Sequence, residues 1–287
     1  MKHALRTFWR LTAEELSGFD KPAEENAAPQ YHFFIKENNG ERVLTRYLEK
    51  VVFVPQGVTI IGNSAFAGCC EINGVVLPEG VHTISSYAFS GCKNLLSVTL
   101  PSTVKSIEKG AFRGCESLKS ITVPDSVTSI GVLVFEGCKS LESITIQGGV
   151  TEIGWGAFLG CISLKGVTIP DSVTKIVGCA FSGCKNLSSI TIPGSVKEIG
   201  NRAFADCTSL ESVTISDSVT KIGDFAFFGC SSFETITVPD SVTKIGDGAF
   251  GSCPRLTLIC LRGSCAELYA KKQRIPILTY SLEYDSG

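Results

Sequence analysis

The sequence predicts a solenoid, in which similar coils stack and a parallel β-sheet runs along one face. Two observations predict it: a strict period of 23 residues and a short strand-like segment in each period. Periods of about 20 to 50 residues are typical of repeat architectures, whose units bury their apolar faces only against one another. Nine cysteines mark the period, and a phenylalanine precedes each by three residues: Cys69, Cys92, Cys115, Cys138, Cys161, Cys184, Cys207, Cys230 and Cys253, with Phe66, Phe89, Phe112, Phe135, Phe158, Phe181, Phe204, Phe227 and Phe250.

Each period holds a segment of alternating apolar and polar residues. In Ile121-Thr122-Val123, the alternation predicts a strand with Ile121 and Val123 facing the core and Thr122 facing outward. Pro124 then ends the strand, because proline has no N–H to donate to a ladder. Columns of valine (positions 58 to 242) and isoleucine (61 to 245) recur at the same spacing. Coils stacked about 4.8 Å apart would join these columns into one continuous core.

The composition excludes several classes of protein. The chain has 287 residues, 44% of them hydrophobic, and a formal charge of -2. A nucleic-acid-binding domain would carry a clustered basic surplus, and a disordered chain would be more charged and less apolar. No apolar run reaches the roughly 18 residues that a membrane-spanning helix needs, so no membrane insertion is expected. The first 20 residues lack the apolar stretch of a secretory signal, which predicts a cytoplasmic location.

Four regions are expected along the chain. Residues 1–29 are an N-terminal segment and linker, and residues 30–51 are a β-hairpin cap, since Asn39-Gly40 lies between two strand-like runs. Residues 52–258 hold nine repeats. Residues 259–287 hold a partial repeat and a C-terminal cap, with a tenth strand that starts at Ile259, a short helix capped by Ser264 and a last extended segment from Ile275.

Within the repeats, Leu118, Ile121 and Val123 have the L-x-x-L-x-L spacing of leucine-rich repeats. With the longer pattern I-P-x-x-V-x-x-I-x-x-x-A-F-x-x-C-x-x-L, the unit resembles the BspA-like, or Treponema-type, leucine-rich repeat family. The resemblance covers residues 52–258. It implies an α/β repeat fold: a right-handed solenoid with the parallel sheet on its concave face, capped at both ends. It also implies a bacterial binding or adhesion protein at the cell surface, in place of the cytoplasmic location that the missing signal predicts.

The cysteine column allows three interpretations. The first is a buried ladder of thiols that bond weakly to turn carbonyls. The second is a set of disulfides, since stacked Cα atoms would lie within the permitted range of about 4.4–6.8 Å, but the side chains would be parallel and nine members cannot all pair. The third is a metal site, which needs four converging ligands rather than a straight column. The thiol ladder is the favoured interpretation.

No catalytic, metal-binding or cofactor-binding residue is predicted. The three histidines, His3, His32 and His82, lack ligand spacing, and none accompanies the off-column cysteines in a catalytic pattern. A literal G-x-G-x-x-G at 246–251 lacks the preceding strand and the βαβ unit that dinucleotide binding requires. The protein is therefore expected to be non-enzymatic and to need no cofactor.

Candidate partner contacts lie in two places. The first is the outward row of the sheet, for which a solvated surface is the favoured interpretation and an extended recognition surface the alternative. The second is the turn around the phenylalanine column, which is small or polar in most repeats. Packing of its large residues in the core is favoured, whereas exposure would make them an apolar patch for a partner. The row includes Thr122, Thr145, Thr168, Thr191 and Thr214 and ends at Cys260, and the large turn residues are Val132, Leu133, Trp155, Leu159, Phe225 and Phe228.

The leading functional hypothesis is a non-enzymatic protein-interaction or adhesion-type module. Its expected partner is a cell-surface or host protein, with no nucleic acid, and Trp155, Val132 and the threonine row are the expected contacts. The alternative is a structural scaffold or surface-layer element without a discrete ligand site.

Overall fold

The computed structural model describes residues 51–281 in full and the backbone of two earlier strands. The predicted segment 1–29 therefore lies outside the described residues. In chain order the elements are β1 (Phe34–Asn38), β2 (Glu41–Arg46), β3 (Val51–Phe53), β4 (Ile60–Ile61), β5 (Gly74–Val76), β6 (Thr83–Ile84), β7 (Ser97–Thr99), β8 (Ser106–Ile107), β9 (Ser120–Val123), β10 (Ser129–Ile130), β11 (Ser143–Ile146), β12 (Glu152–Ile153), β13 (Gly166–Thr168), β14 (Lys175–Ile176), β15 (Ser189–Ile192), β16 (Glu198–Ile199), β17 (Ser212–Ile215), β18 (Lys221–Ile222), β19 (Thr235–Val238), β20 (Lys244–Ile245), β21 (Thr257–Leu261), α1 (Cys265–Gln273) and β22 (Ile277–Tyr280).

The described coils form a solenoid of parallel strands, which confirms the fold predicted from the repeat. Equivalent residues of successive coils pair across the strands: Thr122 lies opposite Thr145, and Thr145 lies opposite Thr168. The pairing partners are 23 residues apart, so each coil sits directly on the one before. At the N-terminal end, β1 and β2 pair antiparallel, and β2 continues in parallel onto β4.

Two rows of strands run along the stack, whereas the alternating pattern predicted only one. The front row consists of the longer strands and is divided into four sheets: β3-β5-β7, β9-β11-β13, β15-β17 and β19-β21-β22. The second row consists of two-residue strands at the isoleucine column, and with β1 and β2 it forms one 11-stranded sheet. A two-residue strand is too short to show an alternation in sequence, and only its pairing with neighbouring coils reveals it.

A stack of phenylalanine rings fills the centre of the coils. Neighbouring rings from Phe66 to Phe250 have centroids 4.8–5.6 Å apart and planes within 1–10° of parallel. The separation matches the spacing of the strands, so the period of the backbone and the thickness of an aromatic ring agree. The backbone follows the same period, since Phe158 N donates to Ala180 O at 2.8 Å.

The tenth strand differs from its prediction by one residue. Thr237 lies opposite Ile259, which is 22 residues further on, and not opposite Cys260. Leu258 and Cys260 are buried, and Ile259 is half-buried. Because side chains alternate along a strand, the loss of one residue moves the whole strand to the opposite face. Cys260 is therefore a core residue, and its predicted place in the outward row was wrong.

The C-terminal cap closes the aromatic stack. Ser264 precedes α1 and accepts a hydrogen bond from Glu267 N at 3.3 Å. The helix places Tyr269 against the last ring, with its plane at 72° to that of Phe250 and the centroids 5.9 Å apart. Phe250 N, which has no following alanine carbonyl to bond, donates to the Tyr269 hydroxyl at 3.3 Å. One side chain thus replaces both the ring and the acceptor that the next coil would supply.

Truncation of one central ring should reveal the strength of the stack. Phe158 is fully buried between Phe135 and Phe181, whose centroids lie 5.4 Å and 5.1 Å away. We expect Phe158→Ala to lower the free energy of unfolding in urea by about 3–5 kcal/mol, because it leaves a cavity between two rings. Thr145→Ala, on the exposed face, should change it by less than about 0.5 kcal/mol. Equal effects of the two substitutions would contradict a load shared along the stack.

Candidate interaction site

The turn surface, defined here as the residues between each two-residue strand and the following phenylalanine, has a fixed backbone conformation. The residue two positions before each phenylalanine has a left-handed φ between +54° and +60°. Such angles disfavour residues with a Cβ, yet six members of this column are not glycine. The members are Ser64, Tyr87, Gly110, Leu133, Gly156, Cys179, Arg202, Phe225 and Gly248. The register of the stack imposes the conformation on each residue in turn.

Large residues in this column lean over a glycine in the next coil. A Cβ atom built on Gly110 would lie 2.5 Å from the Tyr87 ring, and one built on Gly156 would lie 2.7 Å from Leu133 Cδ2. The same relation joins Phe225 to Gly248, at 2.7 Å. Each glycine therefore makes room for the side chain before it. A large residue followed by glycine 23 positions later is the sequence signal of this packing, and it was not used in the prediction.

Four apolar residues form one patch on the turn surface, the Trp155 cluster: Val132, Leu133, Trp155 and Leu159. Trp155 is 43% exposed and Val132 is 39% exposed, at equivalent positions of adjacent coils. Leu133 lies on Gly156, and Leu159 Cβ is 3.6 Å from the Cβ position of the same glycine. The indole edge of Trp155 lies over Gly178, with Cδ1 3.3 Å from its Cβ position. The glycines hold the large side chains at the surface rather than in the core.

A second group, the Phe225 cluster, consists of Arg202, Phe225 and Phe228. The Arg202 guanidinium carbon lies 4.7 Å from the centre of the Phe225 ring, within the range of a cation–π contact. Phe225 and Phe228 meet edge to face, with centroids 5.7 Å apart. Both rings are half-buried. Arg202 was missed in the sequence because its partner is one coil away.

The two clusters are distinct surfaces. Trp155 and Phe225 lie in coils that are three periods apart, which corresponds to about 14 Å along the stack. Cys179 and Arg202 occupy the left-handed column between them. None of the six large turn residues is fully buried, so the favoured interpretation that they pack in the core was wrong.

The front face carries the threonine row as an exposed surface. Its five named members, Thr122, Thr145, Thr168, Thr191 and Thr214, are all exposed. The ladder of this row is interrupted between β13 and β15, where a shallow cavity of about 460 Å³ opens. Val167, in the wall of this cavity, is half-buried, while the equivalent Ile144 and Ile190 are buried. The row therefore contains one irregular position among otherwise regular strands.

The cysteine column forms a ladder of thiols, as the favoured interpretation predicted. From Cys92 to Cys253, each of the eight thiols donates to the carbonyl of the phenylalanine 26 residues earlier, at 2.9–3.3 Å. Desolvation by burial raises the pKa of Cys92, Cys138 and Cys207 to about 12. The same cause, with help from neighbouring thiols, raises the pKa of Cys115, Cys161 and Cys184 well above its usual value. These side chains are core donors and poor nucleophiles.

The described residues hold no cluster of three His, Cys, Asp or Glu side chains that could bind a metal ion. The glycine-rich match at 246–251 is preceded by the two-residue strand β20, so the predicted absence of a strand was wrong. A turn follows it rather than a helix, and Asp247 N donates to Asp224 Oδ1 of the preceding coil at 3.0 Å. The segment is thus one copy of the repeated turn.

Comparison with known families agrees with the geometry of the coils. The model of the BspA type leucine rich repeat region matches residues 46–165 and 151–271, with six copies. The chain belongs to this family. No enzyme family is indicated, and no curated protein is detectably similar to the chain. Among residues 51–281, no helix has the length and apolar character to cross a membrane.

Solved structures of bacterial leucine-rich repeat proteins are similar to this member of the family. The leucine-rich repeat protein of T. pallidum is 25% identical, with a TM-score of 0.51, and the match covers 90% of this chain and 98% of that one. A protein from Eubacterium ventriosum is 24% identical, with a TM-score of 0.50 over 75% of this chain and 60% of that one. One from Bacteroides ovatus is 22% identical, with a TM-score of 0.44 over 90% and 91%. The family is associated with protein interaction, and these matches add the repeat fold.

A pair of glycine substitutions should test how the Trp155 cluster is held. Gly156 and Gly160 both have a positive φ, but a Cβ on Gly160 would have no neighbour within 4 Å. Gly160→Ala should therefore cost only the backbone term of about 1–2 kcal/mol. Gly156→Ala should cost about 1–3 kcal/mol more in chemical denaturation, because Leu133 must move. If the two variants unfold at the same denaturant concentration, Leu133 does not rest on Gly156.

The thiol ladder should make the fold sensitive to alkali. The unfolded chain releases thiol protons as the pH rises above 9, whereas the folded chain retains them because its thiol pKa values are raised. Stability is therefore fully present below pH 9 and is lost as the pH rises above it. Cys161→Ser should reduce the slope of unfolding free energy against pH by up to about 1.4 kcal/mol per pH unit, measured by urea titration in alkaline buffers. A slope that is unchanged in this variant would contradict a buried neutral thiol.

Proposed function

We propose that this leucine-rich repeat protein is a non-enzymatic, adhesion-type module that binds a protein partner through the Trp155 cluster. The exposure of Trp155 on the turn surface is the observation that carries the proposal. Tryptophan is enriched among the residues that dominate protein–protein binding, because it buries a large area with little loss of side-chain freedom. At this position, the cost of exposure in the free protein is recovered when a partner covers the ring.

The surroundings of Trp155 support its role as an anchor. Val132 extends the apolar area into the preceding coil, and the half-buried Leu133 and Leu159 form a floor beside it. Glu136, three residues after Leu133, forms an ion pair with Arg113 at 2.5 Å, which supplies polar groups in neighbouring coils. An apolar centre with polar groups nearby is the usual arrangement of a specific interface.

The remaining candidate contacts have different roles in this proposal. Phe225 and Phe228 pack against each other and against Arg202, so they offer less free apolar area than Trp155. The threonine row is flat and carries short side chains, which suits a broad contact of low energy per residue. We propose the Phe225 cluster and the row as secondary contacts.

The proposal is tested by crosslinking followed by titration. A benzophenone amino acid at position 155 should capture a specific protein from the surface of source cells, and the captured protein is then purified. Trp155→Ala should weaken its binding to the full chain by about 30-fold or more, as for a central anchor. The same variant should lower stability by about 1 kcal/mol or less, since the ring is half exposed.

Phe53 provides a matched control, because it is a large exposed side chain at the other end of the stack. The benzophenone at position 53 should capture a different set of proteins, and Phe53→Ala should bind the purified partner normally. If Trp155→Ala unfolds the protein, the cluster is structural. If Trp155→Ala binds as well as the unmodified chain, the scaffold alternative without a discrete site is favoured.

A further inference from the structure

The last strand of the front row has an open edge. β22 pairs with β21 on one side, and no described strand pairs with its other side. Pro276 O accepts from Leu258 N at 2.8 Å, and Tyr280 O accepts from Arg262 N at 2.9 Å. Because successive residues of a strand direct their backbone groups to opposite sides, the groups of Ile277 and Thr279 point to the open edge. Two N–H and two C=O groups are thus presented in strand geometry.

The side chains around this edge are apolar and unprotected. Leu268 and Leu278 are 66% and 60% exposed, the highest values for large apolar residues in the described part of the chain, and Tyr280 is 41% exposed. Exposed edges are normally blocked by lysine, by a bulge or by a covering element, since they otherwise pair with another chain. No residue of β22 is charged. The edge has the character of an interface rather than of a solvated end.

The charges beside β22 are arranged for pairing of the strand with itself. Lys272 and Arg274 precede it and are exposed, and Glu283 and Asp285 follow it in the sequence. In an antiparallel pair related by a two-fold axis, the residues before one strand run beside the residues after the other. The basic residues of each copy would then face the acidic residues of the second copy, twice in one interface.

We propose that two copies of the protein dimerise by antiparallel pairing of their β22 strands, with the two-fold axis at Thr279. Opposite residues in such a pair must have backbone groups that point the same way, so Leu278 lies opposite Tyr280 of the second copy. The two apolar side chains cover each other on the front face. The front rows of both copies then join into one surface. The inference does not depend on the role of Trp155.

Charge-reversed versions of the full chain provide a specific test. One variant combines Lys272→Glu with Arg274→Glu, and the other combines Glu283→Lys with Asp285→Lys. Sedimentation equilibrium of the unmodified chain should show a species of about 61 kDa, twice 30.6 kDa, that dissociates on dilution. Each variant alone should dimerise at least about tenfold more weakly, and an equimolar mixture should form a heterodimer because the reversed charges then attract.

Two further variants separate edge pairing from general association. Thr279→Pro removes an outward N–H and should abolish the dimer, while its circular dichroism and melting temperature show whether the cap still folds. Phe53→Glu, at the opposite end, should leave the dimer unchanged. A chain that is monomeric at every concentration, or charge variants that each dimerise as well as the unmodified chain, would overturn the proposal. Growth beyond a dimer that Phe53→Glu prevents would show instead that the N-terminal end of another copy occupies the edge.

Discussion

The stacking of each coil on the one before is the interaction on which the rest of the structure depends. A single coil is too small to bury its own apolar residues, and its phenylalanine is covered only when rings lie on both sides. The rings are 4.8–5.6 Å apart, and the strands have the same spacing. Because both requirements meet in one repeat length, the period can tolerate almost no variation. The tenth strand shows the consequence, since one missing residue turns its side chains over.

The same constraint decides which positions can vary. Inside the coil, cysteine thiols have their hydrogen-bond partner supplied by the repeat, so a small polar group can be buried at every step. On the turn surface, the backbone is held in a left-handed conformation whatever the side chain is. Large residues are accepted there only where the next coil supplies a glycine, as Gly156 does for Leu133. The stack thereby converts a choice of two residues, 23 positions apart, into the shape of a surface patch.

The two ends of the stack meet the same problem in different ways. Each end would leave a ring without a neighbour and a row of backbone groups without partners. At the C-terminal end, Tyr269 covers Phe250 and accepts its N–H, which closes the core. The front row is not closed in this way, because β22 extends it by one more strand and again presents an edge. A cap that completes the core can thus create a surface for association.

The sequence by itself determined the period, the solenoid, the inward columns and the thiol ladder, because each of these repeats nine times and a repeated local preference is unambiguous. The tertiary structure alone decided the second row of strands, the facing of Cys260 and the exposure of Trp155 and Val132. These features depend on what lies one coil away: the pairing of two-residue strands, the register after a deletion, and a glycine in the neighbouring turn. Side chains such as Trp155 and Phe158 look alike in the sequence, since both are large and apolar in the same turn. Only the position of the next coil places one in the core and the other at the surface.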